Sequence, residues 1–211
     1  MTNTLVVSYL PSGERSVTKK LLDRFLENSA GKTNIIHRNL MKTLPPVYDE
    51  TSLLAYQMRG YGGQTLTGDH AEAIKPFDVL IEEIKAADQV VFAFPMHNYS
   101  LPGVVKTYFD AILQHGEVFK YGKSGAEGFL TKLKTAILYA SGGVYEQGHA
   151  KNVVFPVLDI NLGTLGVAEK TLINASATLY GPEAMQEALD KALVEVDALT
   201  ASWFGAKVTA A

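Results

Sequence analysis

Short apolar runs alternate along this chain with longer stretches in which apolar residues recur at helical spacing. Five of the runs predict β-strands, at residues 4–8, 34–39, 89–94, 135–140 and 170–175. Several of them are apolar without interruption, which is typical of strands buried on both faces of a parallel sheet. Strands that are separated by helical segments favour βαβ units. The alternation therefore restricts the chain to an α/β architecture.

The stretches between these runs carry the spacing of helices that pack on a sheet. They predict helices at residues 16–29, about 70–84, 102–114, and from about Glu183 onward. Pro102 suits the start of its helix, because a first-turn residue needs no backbone N–H donor. Five strands joined in this way predict a flavodoxin-like three-layer sandwich with a five-stranded parallel sheet.

Residues 41–68 interrupt the alternation. They contain Pro45-Pro46 and, later, paired glycines at 62 and 63, so the sequence predicts an irregular excursion over the surface. A linker is disfavoured, because the half-sheet on either side could not fold alone. We therefore expect residues 1–211 to form a single domain.

Composition excludes several classes of function. The chain has 211 residues, 47% of them hydrophobic, with a formal net charge of -3 and no cysteine. Thiol catalysis, disulfides and cysteine-ligated zinc are excluded. The charge gives no basic footprint for nucleic acid or for an anionic membrane. No apolar stretch approaches the ~20 residues that cross a bilayer, and no signal peptide is evident, so a cytoplasmic protein is expected.

The sequence supports neither of two common phosphate-binding motifs and no metal site. Gly31-Lys32-Thr33 resembles the end of a P-loop, but position 26 is leucine and the order is helix then strand. No G-x-G-x-x-G motif is present, so a dinucleotide-binding Rossmann site is unsupported. The five histidines show no paired metal spacing, and we expect no metal.

Three loops that follow predicted strands hold the residues best suited to bind a ligand. They are the turn with Ser8, Arg15 and Ser16, the stretch from Pro95 to Tyr99, and the stretch from Ala140 to Tyr145. Ligands of open α/β sheets bind outside the carboxyl ends of the strands. A helix N-terminus with hydroxyls can hold a monophosphate, although this stretch taken alone favours Ser16 as a simple helix cap. Together with mixed donors, acceptors and aromatic rings, the three loops favour FMN.

The segment from residue 87 to 143 resembles the FMN-dependent NADH:azoreductase family, relatives of the flavodoxin-like NAD(P)H:quinone reductases. The resemblance rests on Ala87-Asp88, Pro95-Met96-His97-Asn98-Tyr99, Leu101-Pro102, Lys106, Phe109-Asp110, Phe119-Lys120-Tyr121, Gly128-Phe129-Leu130 and Gly142-Gly143. Similar stretches, Leu44-Pro45 through Glu50 and Tyr180-Gly181-Pro182-Glu183, extend it over nearly the whole chain.

The resemblance implies a homodimer that binds FMN non-covalently, with both active sites at the subunit interface. The residues expected to contact FMN are Ser8, Arg15, Ser16, Pro95, Met96, His97, Asn98, Tyr99, Ser141, Gly142 and Gly143. Tyr121 and Tyr145 are the expected substrate contacts, and no side chain is assigned as catalytic. The chain departs from the family at Ala140-Ser141, where many members have Ser-Arg, and at Glu14-Arg15, where small polar residues are usual.

The reaction implied by the resemblance has two steps. NADH or NADPH delivers hydride to flavin N5 and leaves, and a quinone or azo compound then takes the same pocket and receives two electrons. Two alternatives stay open from the residues themselves. One is a flavodoxin-like electron carrier that does not oxidise NAD(P)H, and the other is a cofactor-free interaction module on the same fold.

Overall fold

The structure, a computed structural model, describes residues 1–145 and 148–205. Within these ranges the strands are β1 (Thr2–Ser8), β2 (Thr33–Asn39), β3 (Gln89–Pro95), β4 (Phe119–Gly122), β5 (Gly125–Gly128), β6 (Lys134–Ala140) and β7 (Lys170–Ala175). Five of them form one parallel sheet in the order β2-β1-β3-β6-β7, and β4 pairs with β5 in an antiparallel hairpin. The predicted five-stranded parallel sheet is confirmed.

Helices cover both faces of this sheet. In chain order they are α1 (Val17–Ser29), α2 (Glu50–Gly60), α3 (Gly68–Lys85), α4 (Gly103–Ile112), α5 (Val154–Leu165) and α6 (Pro182–Phe204). The core beneath α1 and α6 is separate from the core beneath the other four helices. The three-layer α/β sandwich predicted from the sequence is therefore confirmed.

Strand β3 shows why the sheet must be covered on both sides. Val90, Phe92 and Phe94 enter the core under α3 and α4, whereas Val91 and Ala93 enter the core under α1 and α6. Successive side chains of a strand point to opposite faces, so an uninterrupted apolar run requires two apolar layers.

The prediction that residues 41–68 are irregular was wrong, because α2 lies inside this stretch. The Asp49 carboxylate accepts a hydrogen bond from the Ser52 backbone N–H at 2.8 Å, and the Ser52 hydroxyl accepts one from the Asp49 N–H at 2.9 Å. This reciprocal capping box begins the helix. Only Ser52 and Ala55 of α2 are buried, so the sequence carries little apolar periodicity to reveal it.

Two further elements lie in segments where no helix or strand was predicted. The β4–β5 hairpin follows α4, and α5 precedes β7. Helix α5 is capped at its C-terminus by Gly166, whose φ of 89° is the left-handed conformation that glycine adopts at helix C-termini. None of the helices in the described ranges is both long and apolar enough to cross a membrane.

Candidate functional site

The central strands of the sheet end level with one another and bring their following loops together. Ser8 pairs with Ala93, and Pro95 pairs with Ala140. The first residues beyond the strands continue these contacts, since the Tyr9 N–H donates to the Ala93 carbonyl at 2.9 Å and the Met96 N–H to the Ala140 carbonyl at 2.8 Å. The loops after β1, β3 and β6 therefore meet at the carboxyl edge of the sheet.

The loop after β3 is a tight turn with an unusual backbone. His97 and Ser100 exchange backbone hydrogen bonds of 3.0 and 2.9 Å around Asn98 and Tyr99. Asn98 has a φ of 47° and Tyr99 a φ of 69°. Asparagine tolerates this left-handed region, but a tyrosine there is strained, and such strain concentrates at ligand sites. The turn leaves the Tyr99 side chain 43% exposed.

The paired glycines after β6 form a second wall. Ser141 is buried, and its hydroxyl donates to the Gly143 carbonyl at 2.9 Å. The Leu179 N–H donates to the Gly142 carbonyl at 3.1 Å. A Cβ atom on Gly142 would lie 2.7 Å from Leu179, and one on Gly143 would lie 2.8 Å from the Tyr145 ring. A side chain at either position would have to displace Leu179 or the Tyr145 ring, so glycine allows both to stay close to the loop.

An open cleft of about 210 Å³ lies between these walls. It is lined by Met96, Asn98, Tyr99, Gly142, Gly143, Tyr145 and Leu179. The rings of Tyr99 and Tyr145 meet edge to face, with centroids 5.7 Å apart. The cleft thus combines aromatic surface, an amide side chain that donates and accepts, and a loop without side chains.

Larger depressions exist but lie away from this edge. One of about 490 Å³ is lined by Asp88 and Gln89 at the start of β3, on the amino edge of the sheet. Another of about 660 Å³ lies on α3 around Val79. Open α/β sheets place ligands at the carboxyl ends of their strands, so position outweighs size and favours the smaller cleft.

The turn between β1 and α1 is the expected phosphate site. The Ser16 hydroxyl caps α1 by accepting from the Lys19 N–H at 3.1 Å. The Ser8 hydroxyl lies 2.8 Å from Nε2 of His37, and burial lowers the pKa of this imidazole below its ordinary value, with the positive charge of Lys42 acting in the same direction. Arg15 is exposed and forms no ion pair within the described residues. The first N–H groups of α1 point toward this turn without intrahelical partners.

Sequence reasoning passed over Thr18, the second residue of α1. Its side chain is fully buried, and its hydroxyl has no hydrogen-bond partner among the residues that the structure describes. The spacing Ser16-x-Thr18, which places two hydroxyls in one first turn, was the available signal. Leu179 was also missed, since nothing in the local sequence brings this 84% exposed side chain over Gly142.

The structure does not bring every predicted site residue to the cleft. Pro95 ends β3 beneath it, and the His97 ring turns aside to meet Tyr9 edge to face at 5.9 Å. Tyr121 lies on the β4–β5 hairpin, where it stacks on His115 at 5.7 Å. Helix α4 carries the chain about 15 Å away from the carboxyl edge before this hairpin begins. Tyr145, by contrast, lines the cleft, and its contact with substrate stays a prediction.

In the described parts of the chain, no group of three histidine, aspartate or glutamate side chains is placed to hold a metal ion. The expectation of no metal stays a prediction.

A protein family described as having a flavodoxin-like fold matches residues 2–199. The chain belongs to this family. Within it, an FMN-dependent NADH:quinone oxidoreductase from Hyphomonas neptunium is 34% identical over 194 residues, which cover 90% of this chain and 91% of the relative. A relative of the same name from Haemophilus influenzae is 31% identical over 202 residues, covering 96% and 100%.

Two solved structures of azoreductases are similar to this chain in fold. An azoreductase from Bacillus anthracis superposes with a TM-score of 0.85 at 27% identity, covering 96% of this chain and 100% of that one. An FMN-dependent NADH-azoreductase from the same species, in complex with FMN, gives a TM-score of 0.82 at 26% identity, covering 95% and 100%. The resemblance stated from the sequence is therefore confirmed.

Proposed function

We propose that this protein is an FMN-dependent oxidoreductase that passes two electrons from NADH to quinones, with azo compounds as a second class of acceptor. The observation that carries the proposal is the strained Asn98–Tyr99 turn, which presents an aromatic ring beside the paired-glycine loop at the carboxyl edge. The names of the related quinone oxidoreductases and azoreductases support the same chemistry. A cytoplasmic location, where NADH is produced, belongs to this proposal.

The residues of this edge fit FMN in composition. The N-terminus of α1 offers the helix dipole, unpaired N–H groups and the unpartnered hydroxyl of Thr18 to a phosphate. Tyr99 offers a ring face, and the Asn98 amide suits the mixed donors and acceptors of a flavin. FMN, when bound, supplies the transfer of two electrons from the nicotinamide to the acceptor. The contribution of the chain is to hold and orient the two reactants.

We extend the proposal to a homodimer of single-domain chains, in which the second copy completes each cleft. The cleft is open, and Tyr121 is 63% exposed and does not line the cleft of its own chain. In a homodimer, Tyr121 of one subunit would lie at the cleft of the other. Light scattering tests the mass of the particle. Mixing Tyr121→Ala with Asn98→Ala tests composite sites, because a mixed dimer regains one intact site whereas monomers regain none.

Anaerobic mixing of the FMN-loaded protein with NADH tests the function. We expect the flavin absorbance to bleach, and addition of a quinone to restore it with one quinone consumed per NADH. An FMN-loaded protein that NADH does not bleach would instead be an electron carrier. A protein that takes up no FMN would be an interaction module on the same fold.

A further inference from the structure

The segment from His149 to Val153 lies against the cleft and is anchored to both of its tyrosines. The Asn152 side-chain amide donates to the Tyr145 carbonyl at 2.9 Å, and the Val153 N–H donates to the Tyr99 carbonyl at 3.0 Å. Asn152 itself is 5% exposed. Two hydrogen bonds from adjacent residues therefore fix the position of the residue that precedes them, Lys151.

Lys151 projects over the aromatic wall of the cleft. Its backbone N–H donates to Nδ1 of His149 at 3.0 Å, and its ammonium lies 5.5 Å from the centroid of the Tyr99 ring. The negative face of an aromatic ring attracts a cation at this distance. The apolar stem of lysine can follow the ring while the charge stays in water. The ammonium thus lies beside an aromatic ring that lines the cleft.

No carboxylate neutralises this charge in the described parts of the chain. The ion pairs of residues 1–145 and 148–205 do not include Lys151. Among the described residues that line the cleft, none carries an acidic group. A cation that no described carboxylate pairs with, beside exposed aromatic rings, favours a planar molecule with a negative substituent.

We propose that Lys151 is a specificity-determining residue that binds the anionic group of the molecule entering the cleft. This inference rests on the proposed function and adds the charge of the substrate to it. The anion has two possible sources, a carboxylate or sulfonate on the acceptor and the phosphates of the nicotinamide nucleotide. Both present oxygens that a lysine ammonium binds as a point charge.

Matched pairs of substrates separate the two sources. For the acceptor, naphthoquinone sulfonate is compared with the parent naphthoquinone. For the donor, NADH is compared with an N-benzyl dihydronicotinamide, which has no phosphate. In Lys151→Gln we expect the ratio of kcat/KM for the charged over the neutral member to fall about five-fold in one of the two pairs, as suits an exposed ion pair. Because each ratio is taken between variants, differences in redox potential within a pair cancel.

Three further variants serve as controls. Lys151→Arg keeps the charge and should preserve the ratio, whereas Lys151→Glu should lower it below that of Lys151→Gln. Lys191→Gln removes an exposed lysine from α6 and should leave the ratio unchanged. Added salt should lower the ratio in the natural protein and have little effect in Lys151→Gln, because salt screens exposed charges.

A binding measurement without turnover completes the test. Naphthalene sulfonate and neutral naphthol are titrated into the FMN-loaded protein, and flavin absorbance reports binding. If Lys151→Gln binds the sulfonate more weakly and naphthol equally well, the acceptor carries the anion. If only the kcat/KM ratio of NADH over the benzyl dihydronicotinamide falls, the anion is the nucleotide phosphate. Unchanged ratios in both pairs overturn the inference while the natural protein still turns over. Absence of any turnover in the natural protein would instead reject the proposed function.

Discussion

The buried hydroxyl of Thr18 offers a prediction in which stability and cofactor binding move in opposite directions. The hydroxyl is inaccessible and has no partner among the described residues, so the flavin-free protein bears the cost of desolvating it. Valine has the same shape and no hydroxyl. A buried polar group without a partner costs about 1–3 kcal/mol, so we expect Thr18→Val to raise the free energy of unfolding of the flavin-free protein by about 1 kcal/mol.

The same substitution should weaken FMN binding. If the Thr18 hydroxyl donates to the FMN phosphate, the lost bond is one to a charged group and is worth about 1.5–3 kcal/mol. The Kd for FMN should then rise about ten-fold or more. Urea denaturation of the flavin-free protein gives the first quantity, and titration with FMN followed by flavin fluorescence gives the second.

Thr18→Ser is the matched control, because it keeps the hydroxyl and removes one buried methyl group. We expect FMN binding within about two-fold of the natural protein, and a loss of stability of about 1 kcal/mol. The reasoning is refuted if Thr18→Val destabilises the flavin-free protein and leaves the Kd for FMN unchanged. That outcome would mean that the hydroxyl serves the fold and not the phosphate.

Three other predictions concern the turn after β3 and the edge of the sheet. Tyr99→Gly relieves the strain at a φ of 69° but removes a ring face, so stability should change by less than about 1 kcal/mol while FMN affinity, measured by titration, falls about ten-fold. Asn98→Ala should weaken flavin binding or slow bleaching by NADH, whereas His97→Ala, whose ring lies outside the cleft, should retain flavin; equal behaviour of the two would contradict the assignment. Folding lowers the pKa of His37, so the stability that its neutral form contributes is present above pH 6.5 and is lost as the pH falls through the lower folded value. An NMR titration that places His37 at or above 6.5 in the folded protein would disprove this.

The sequence was sufficient for the elements that rest on strong local patterns. Strand β7 was predicted at its observed bounds, and the prediction for α1 differed by one residue, because Ser16 is its cap. Helix α2 was missed because only two of its residues are buried and its start depends on a capping box between Asp49 and Ser52. Apolar periodicity predicts a helix that buries a wide apolar stripe against the core. A helix that buries only a few residues does not show this periodicity.

The candidate site was predicted in part. The loops at Pro95–Tyr99 and Ser141–Gly143 follow directly from the rule that ligands bind at the carboxyl ends of parallel strands, and the structure joins them in one cleft. Tyr121 was expected near the pocket, but its place on the hairpin beyond α4 keeps it away within one chain. That expectation stays a prediction for the homodimer.

The sequence by itself determined the architecture and the edge of the sheet at which we propose that a ligand binds, because apolar periodicity and the polar loops after strands are local properties. The tertiary structure decided the features that give the site its chemistry. The left-handed turn at Tyr99, the unpartnered hydroxyl of Thr18 and the ammonium of Lys151 over the Tyr99 ring each depend on packing and on contacts between separate segments. Local preference would not place a tyrosine at positive φ, and no spacing rule brings residue 151 to residue 99. Only the packed sheet, with its loops held level by the register of β1, β3 and β6, fixes these arrangements.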